Sequence, residues 1–292
     1  MTATVPYAKM NGLGNEILVV DLRDTAKVLS SAEVEQLAAN PRTAFDQLMA
    51  IHRPRSGANA PTIRIYNNDG SEAGACGNGM RCVALSEYGR TGLPALEFET
   101  AAGRLVAEVR SPASISVTMG KPRFGWAEIP LSEKFNDTRH IELEVGPQGA
   151  PILHSPSVVN VGNPHCIFWV DDDVNAYDLA RFGPMLEFHP YFPERANISL
   201  ARVTSGSALT LRTWERGAGL TKACGSAACA AAVSAARLKL TGRTVAVTLP
   251  GGVLQIAWRD DDEIVMTGPA ETEHAGLLDL DALAPVVSEA AS

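Results

Sequence analysis

The feature that most constrains this chain is an internal echo. Cys76-Gly77-Asn78 and Cys224-Gly225-Ser226 each stand where a glycine-rich loop runs into a helical pattern, 148 residues apart (224 − 76). Gly14-Asn15 and Gly162-Asn163 each occupy a turn beside an apolar strand, and Asn15 to Asn163 is again 148 residues. The same shift carries Asn67 onto Glu215, each closing a strand just ahead of its loop. Three coincidences in one register point to duplication. Twice 148 nearly spans the 292 residues, so the chain reads as two copies of one α/β unit.

Periodicity fills in each copy. In the first, a glycine-rich turn after Lys9 enters a strand at Ile17 to Asp21, and Ser31 to Ala39 has helical patterning with Ser30 or Ser31 as N-cap. Thr62 to Tyr66 alternates as a strand before the polar loop NNDGSEAGACGNG. A helix begins at Asn78 or Gly79 and stops at Gly89 or Gly92, and strands follow at Leu96 to Thr100, Arg104 to Val109 and Ile115 to Met119. The second copy starts near Pro122 in similar order. Strands at Ser157 to Val161 and Cys166 to Val170 flank a GNPH turn, Asp178 to Phe182 is helical, and Ala208 to Trp214 is a strand. The loop ERGAGLTKACGS then opens an Ala-rich helix, Ala227 to Leu238. Strands at Val245 to Leu249, Gly252 to Trp258 and Glu263 to Gly268 close the set.

Composition removes several function classes. The net charge is −8, from 25 Lys and Arg against 33 Asp and Glu. A nucleic-acid binder carries the opposite surplus, so no nucleic-acid partner is expected. No apolar run is long enough to span a bilayer, and MTATVPYAKM lacks the basic start and apolar core of a signal peptide. The expectation is a soluble, cytoplasmic protein with no membrane partner. Five cysteines, an odd number without CxxC spacing, predict neither a disulfide framework nor a zinc site, and no metal is expected. Cys82 and Cys229 fall inside helices and Cys166 starts an apolar strand, so these three read as buried small hydrophobes. GLGNEI resembles part of a dinucleotide fingerprint but lacks the third Gly and precedes a strand, which rules that site out. Asp171 to Asp173 lacks the Gly-containing loop of a calcium site.

Cys76 and Cys224 differ from the other three in context. A helix start offers unpaired N–H groups and partial positive charge, which favour a thiolate and lower a cysteine's pKa. The same N–H groups form an anion site, and Gly77 and Gly225 let backbone approach a ligand. If the two units face each other, one cysteine reaches each side of a shared cleft. One thiolate then removes a proton from carbon while the opposing thiol returns one to the other face, inverting a stereocentre without a cofactor. A carboxylate held at the helix starts would stabilise the carbanion as it forms.

The segments KMNGLGNE, YNNDGSEAGACGNGMRC, NVGNPHC, WERGAG and ACGSAAC together resemble the motif set of the diaminopimelate epimerases, over essentially the whole chain. That family interconverts LL- and meso-diaminopimelate without a cofactor, on the route to lysine and peptidoglycan. The resemblance implies a diaminopimelate epimerase-like α/β (α+β) fold: two pseudo-symmetric lobes, each a curved, mostly antiparallel sheet wrapped around a central helix. The N-terminal lobe is expected at 1–122, the C-terminal lobe at 123–267, with a final strand at about 268–282 returning to the first. A homodimer is also implied.

Residue by residue, Cys76 and Cys224 match the family's catalytic pair, one base and one acid. Gly77, Asn78, Gly225 and Ser226 match the helix starts that hold the reacting carboxylate. Asn15, Asn67, Asn163, Asn197, Glu215 and Arg216 match contacts to the remaining amino and carboxyl groups, and Gln47 matches a further substrate contact. His165 and Glu215 match residues that adjust cysteine ionisation. Chemistry concurs for Arg216, whose planar fork suits a far carboxylate.

Four departures stand out: Asn11 replaces a usual His, Glu16 stands where Asp-Phe is usual, RTA precedes Phe45 where GIG is common, and Ala227 replaces a common Gly. The competing function is another two-cysteine racemase or epimerase, of proline or hydroxyproline type. Phenazine-biosynthesis-like proteins share the fold but lack the thiol pair.

Overall fold

The structure, a computed structural model, describes residues 4–55 and 57–286. It divides into two units: one runs to Val117 and resumes at Gly268, and the other is Thr118–Thr267.

In the first unit, strand Thr4–Asn11 pairs antiparallel with Glu16–Asp21, which lies parallel to Gln47–His52. Gln47–His52 is antiparallel to Thr62–Asn67, and Thr62–Asn67 lies parallel to Ala95–Thr100. Gly103–Ser111 and Ser114–Thr118 continue the sheet antiparallel. The parallel steps fall where a helix makes the crossover, as two-residue turns cannot. Helix α1 (Ser31–Ala39) serves the first and helix α2 (Gly77–Thr91) the second. Strand Glu271–Asp279 adds antiparallel to Thr4–Asn11.

The second unit repeats this order. Ser157–Asn160 is antiparallel to Pro164–Trp169, which is parallel to Asn197–Ser205, which is antiparallel to Ala208–Glu215. Ala208–Glu215 then lies parallel to Thr244–Leu249, followed antiparallel by Gly252–Trp258 and Ile264–Gly268. Helices α3 (Leu179–Glu187) and α4 (Gly225–Arg237) occupy the two crossovers. A shift of 148 (164 − 16; 225 − 77) lays Glu16–Asp21 on Pro164–Trp169 and the start of α2 on the start of α4.

Local chemistry explains the helix bounds. Ser30 closes a capping box with Glu33, its N–H donating to the Glu33 carboxylate at 2.8 Å. Helix α2 stops at Gly92, whose φ of 71° suits a residue without Cβ. The first two turns of α2, Gly77–Ala84, are buried on every side, and α4 is buried almost throughout. A helix buried all round lies inside its sheet, and the Ala content of α4 lets strands approach closely. Leu18, Val20, Leu48, Ala50 and Leu278 build a core in the first unit, and Phe168, Leu179, Phe182, Ile198 and Leu200 build one in the second. Among the described residues, no helix is long and apolar enough to cross a membrane.

Candidate active site

Cys76 is the N-cap of α2, in extended backbone (φ −149°, ψ 100°), and its Sγ accepts the N–H of Gly79 at 3.1 Å. A Cβ at Gly79 would lie 3.1 Å from that sulfur and press into the Met49 side chain. A Cβ at Gly12 would meet Asn78 Cβ at 3.1 Å, so the Asn11–Gly14 turn lies against the start of the helix. Three of the departures from the family pattern are accommodated here. Asn11 Oδ1 accepts the N–H of Gly14 at 2.7 Å, closing that turn. Buried Lys9 pairs with Glu16 and donates to the Ala44 carbonyl, within RTA.

Strand register gathers the remaining candidates of this unit. Ile17 pairs with Gln47 and Gln47 with Asn67, so Asn15, Gln47 and Asn67 sit at one end of three adjacent strands. Gln47 Nε2 donates to Asn67 Oδ1 at 3.2 Å, and Asn67 Nδ2 to Ser71 Oγ at 3.0 Å. Asn15 Nδ2 donates to Asp46 at 3.2 Å, while its buried Oδ1 has no partner among the described residues.

In the second unit Cys224 is the N-cap of α4, but it is only 4 % exposed. Its Sγ lies 3.5 Å from Ser226 Oγ. The helix start alone would lower its pKa. Instead burial pushes the thiol well above its usual value, with the Glu215 carboxylate adding to the rise. The Ser226 hydroxyl and the Ala227 N–H pull the other way without prevailing. Desolvation wins, and Cys224 is a thiol at neutral pH.

His165 pairs with Asn197 across the parallel step, and the 148-residue shift sets it opposite Ile17 of the first copy (165 − 17). Its Nε2 lies 2.7 Å from Asn163 Oδ1. Burial, and next the charge of Arg216, push its pKa down to about 3, so the ring is neutral. Asn197 donates to the Pro164 carbonyl at 3.0 Å and accepts the Arg216 N–H at 3.0 Å. Thr221 donates its hydroxyl to Glu215, and Arg216 Nη1 donates to the Glu194 carbonyl at 2.9 Å. The structure thus brings Asn163, His165, Asn197, Glu215 and Arg216 together at one strand end, and Asn15, Gln47 and Asn67 at another. Gly77 and Asn78 open one helix, and Gly225 and Ser226 the other.

Sequence pattern does not single out Thr221, the partner of Glu215, or Glu187, which accepts the Gly217 N–H beside Arg216. Thr221 carries no motif signal. Glu187 has a weak one: it is an acid in a helix whose Leu179, Phe182 and Leu186 form a buried stripe. Cys82, Cys166 and Cys229 are fully buried, and burial pushes Cys82 up to about 12. Among the described residues no three His, Cys, Asp or Glu side chains cluster as metal ligands.

The diaminopimelate epimerase family model matches the chain twice, over residues 7–125 and 157–273. The chain belongs to the diaminopimelate epimerase family. A diaminopimelate epimerase of Chelativorans sp. (strain BNC1) is 61% identical over 279 residues, covering 96% of this chain and 95% of the relative. One of Brucella anthropi is 60% identical over 279 residues, covering 96% and 93%. The two matches of the family model lie largely one on each unit, with residues 118–125 and 268–273 running past the boundary. Among solved structures, a hydroxyproline epimerase from Agrobacterium vitis superposes with a TM-score of 0.67 at 16% identity, over 96% of this chain and 94% of that one. A phenazine-biosynthesis PhzC/PhzF protein from Clostridium difficile gives 0.66 at 14%, over 93% and 98%. At such identities they establish the fold, which is the diaminopimelate epimerase-like fold.

Proposed function

We propose that this protein is an isomerase that interconverts LL- and meso-2,6-diaminopimelate, using Cys76 and Cys224 as acid and base and no cofactor. The observation that carries the reading is a cysteine at the N-cap of the same helix in both copies of the unit. The names borne by relatives near 60% identity point the same way.

In one direction a Cys76 thiolate takes the α-proton, forming S–H as the C–H bond breaks. The electron pair moves into the α-carboxylate, whose oxygens are held by backbone N–H groups at Gly77-Asn78 and Gly225-Ser226. Cys224 then gives its proton to the opposite face of the carbon and is left as thiolate; on reversal the roles exchange. The two thiols start unequal, which suits this division. Cys76 is half-buried and its sulfur already receives an N–H. Burial, and next the Glu215 carboxylate, hold the proton on Cys224.

The distal amino and carboxyl groups fall to Asn15, Gln47, Asn67, Asn163, Asn197, Glu215 and Arg216. Asn15 Oδ1, without a partner among the described residues, is an acceptor suited to an ammonium. If neutral His165 donates from Nε2 to Asn163 Oδ1, the Asn163 amide protons remain for a substrate carboxylate. Arg216 spends one donor on the Glu194 carbonyl and keeps others for a second carboxylate. Such a site disfavours a monocarboxylic amino acid such as proline, whose binding would leave Arg216 unsatisfied. We take the enzyme to act in the cytoplasm as a homodimer, supplying lysine and peptidoglycan precursors.

The test incubates purified protein with LL-diaminopimelate, separates the stereoisomers by chromatography, and runs L-proline in parallel. The reading requires meso product without added cofactor and no D-proline. Racemised proline with untouched diaminopimelate would transfer the protein to the proline type.

A further inference from the structure

Arg216 is held at its backbone N–H by Asn197 and at Nη1 by the Glu194 carbonyl, and one buried side chain contacts Gly217 and Arg195, the residues next to Arg216 and to Glu194. Glu187, the last residue of α3, is 3 % exposed. Its Oε1 accepts the backbone N–H of Gly217 at 2.9 Å, directly after Arg216. Its Oε2 accepts Trp214 Nε1–H at 2.7 Å, two residues before Arg216. The same carboxylate lies 3.5 Å from Arg195 Nη1. Arg195 has φ 61°, a conformation that disfavours any residue with a Cβ. Glu194, the residue before it, presents the carbonyl that receives Arg216 Nη1 at 2.9 Å. Packing fixes the arrangement further, because a Cβ at Gly183 of α3 would fall 2.8 Å from Trp214 Cβ. One buried anion therefore bridges the turn that carries the Arg216 backbone and the loop that receives its guanidinium.

We propose that Glu187 is a positioning residue for recognition of the distal carboxylate, acting through Arg216. This rests on the reading of Arg216 as a substrate contact. A guanidinium with several rotatable bonds loses conformational entropy when it grips a ligand. Anchoring both its backbone and its tip before substrate arrives removes part of that loss, which is how preorganisation raises affinity. Glu187 serves as a carboxylate because three donors converge on it: Gly217 N–H, Trp214 Nε1–H and the Arg195 guanidinium. An amide of the same shape would turn N–H against one of them.

The experiment is a double-mutant cycle on the reaction with LL-diaminopimelate, using E187Q, R216M and the double variant, each checked for folding by its thermal melt. E187Q is expected to raise KM about tenfold, equivalent to about 1.4 kcal/mol, with kcat changed by less than about twofold. In the R216M background the added E187Q change is expected to have almost no further effect, since its target is gone. If E187Q does not fold, E187D carries the same cycle, keeping the charge while drawing both oxygens back. An unchanged KM, or an equal loss with and without Arg216, overturns the proposal and leaves Glu187 a residue of stability alone. Failure of the wild-type protein to turn over diaminopimelate overturns the function proposed above instead.

Discussion

At the scale of single residues, the second unit sets a neutral histidine where the first has Ile17. With a folded pKa of about 3 against about 6.5 when unfolded, His165 binds fewer protons in the native state than in the unfolded chain throughout that window. Stability must therefore rise with pH between those values, and fall by up to about 1.4 kcal/mol per pH unit as the pH drops from about 6.5 towards 3. Unfolding free energies of wild type and His165→Gln, measured by urea titration across that range, should diverge at high pH and converge at low. Parallel curves would mean that His165 takes up its proton as readily in the folded protein as in the unfolded chain. Arg216→Met keeps the apolar stem and removes the fork, and should lower kcat/KM by about 2–5 kcal/mol of transition-state binding. Equal kcat/KM in steady-state assays would take Arg216 out of the site. The cysteines, Asn15, Asn163 and Arg216 were legible in the sequence because short motifs and one repeat length carry them. Glu187 was not, since an acid on a buried stripe acquires its meaning from Gly217, Trp214 and Arg195, all distant in sequence or on other elements. Nor was the proton held on Cys224, because burial is a tertiary property that reverses what a helix start does alone.

Among the elements, the two helix starts matter most, and the glycines there are set by contact as much as by conformation. Gly79→Ala should destabilise the fold by about 1–3 kcal/mol through overpacking, because Met49 and the Cys76 sulfur occupy the space of its methyl group. Gly74→Ala, with no atom within 4 Å of its Cβ, should stay within about 0.5 kcal/mol of wild type. Denaturant melts of the two variants side by side check this, and equal losses would contradict the packing argument. Helices α1, α2 and α4 and strands such as Thr62–Asn67 and Gly252–Trp258 are legible from caps, glycines and alternation, whereas the antiparallel strand Thr4–Asn11 is not. Gln47–His52 is not legible as a strand, since LMAI, buried on both faces, is a short apolar run with no alternation to mark it. Asn197–Ser205 hides differently: its start is buried on both faces yet holds polar Asn197 and Ser199, so the residue pattern does not report the burial. These two are the parallel partners that bring Gln47 beside Asn67 and Asn197 beside His165. The site's assembly therefore depended on the elements that local pattern reveals least.

For the molecule as a whole, duplication supplies two equivalent helix starts and sequence drift makes them unequal. The Cys76 thiol is partly exposed and receives an N–H; Cys224 is buried beside a carboxylate. In the proposed reaction, which needs one base and one acid on a single carbon, that difference would set which thiol starts as base. The direct measurement runs the wild-type protein and its Cys76→Ala and Cys224→Ala variants in heavy water from LL-diaminopimelate, following deuterium at the α-carbon in each stereoisomer. With two bases, early meso product carries deuterium at the inverted centre, the remaining LL pool stays protiated, and neither variant inverts. Rapid inversion by either variant, or early deuterium in the wild-type LL pool, would contradict the account.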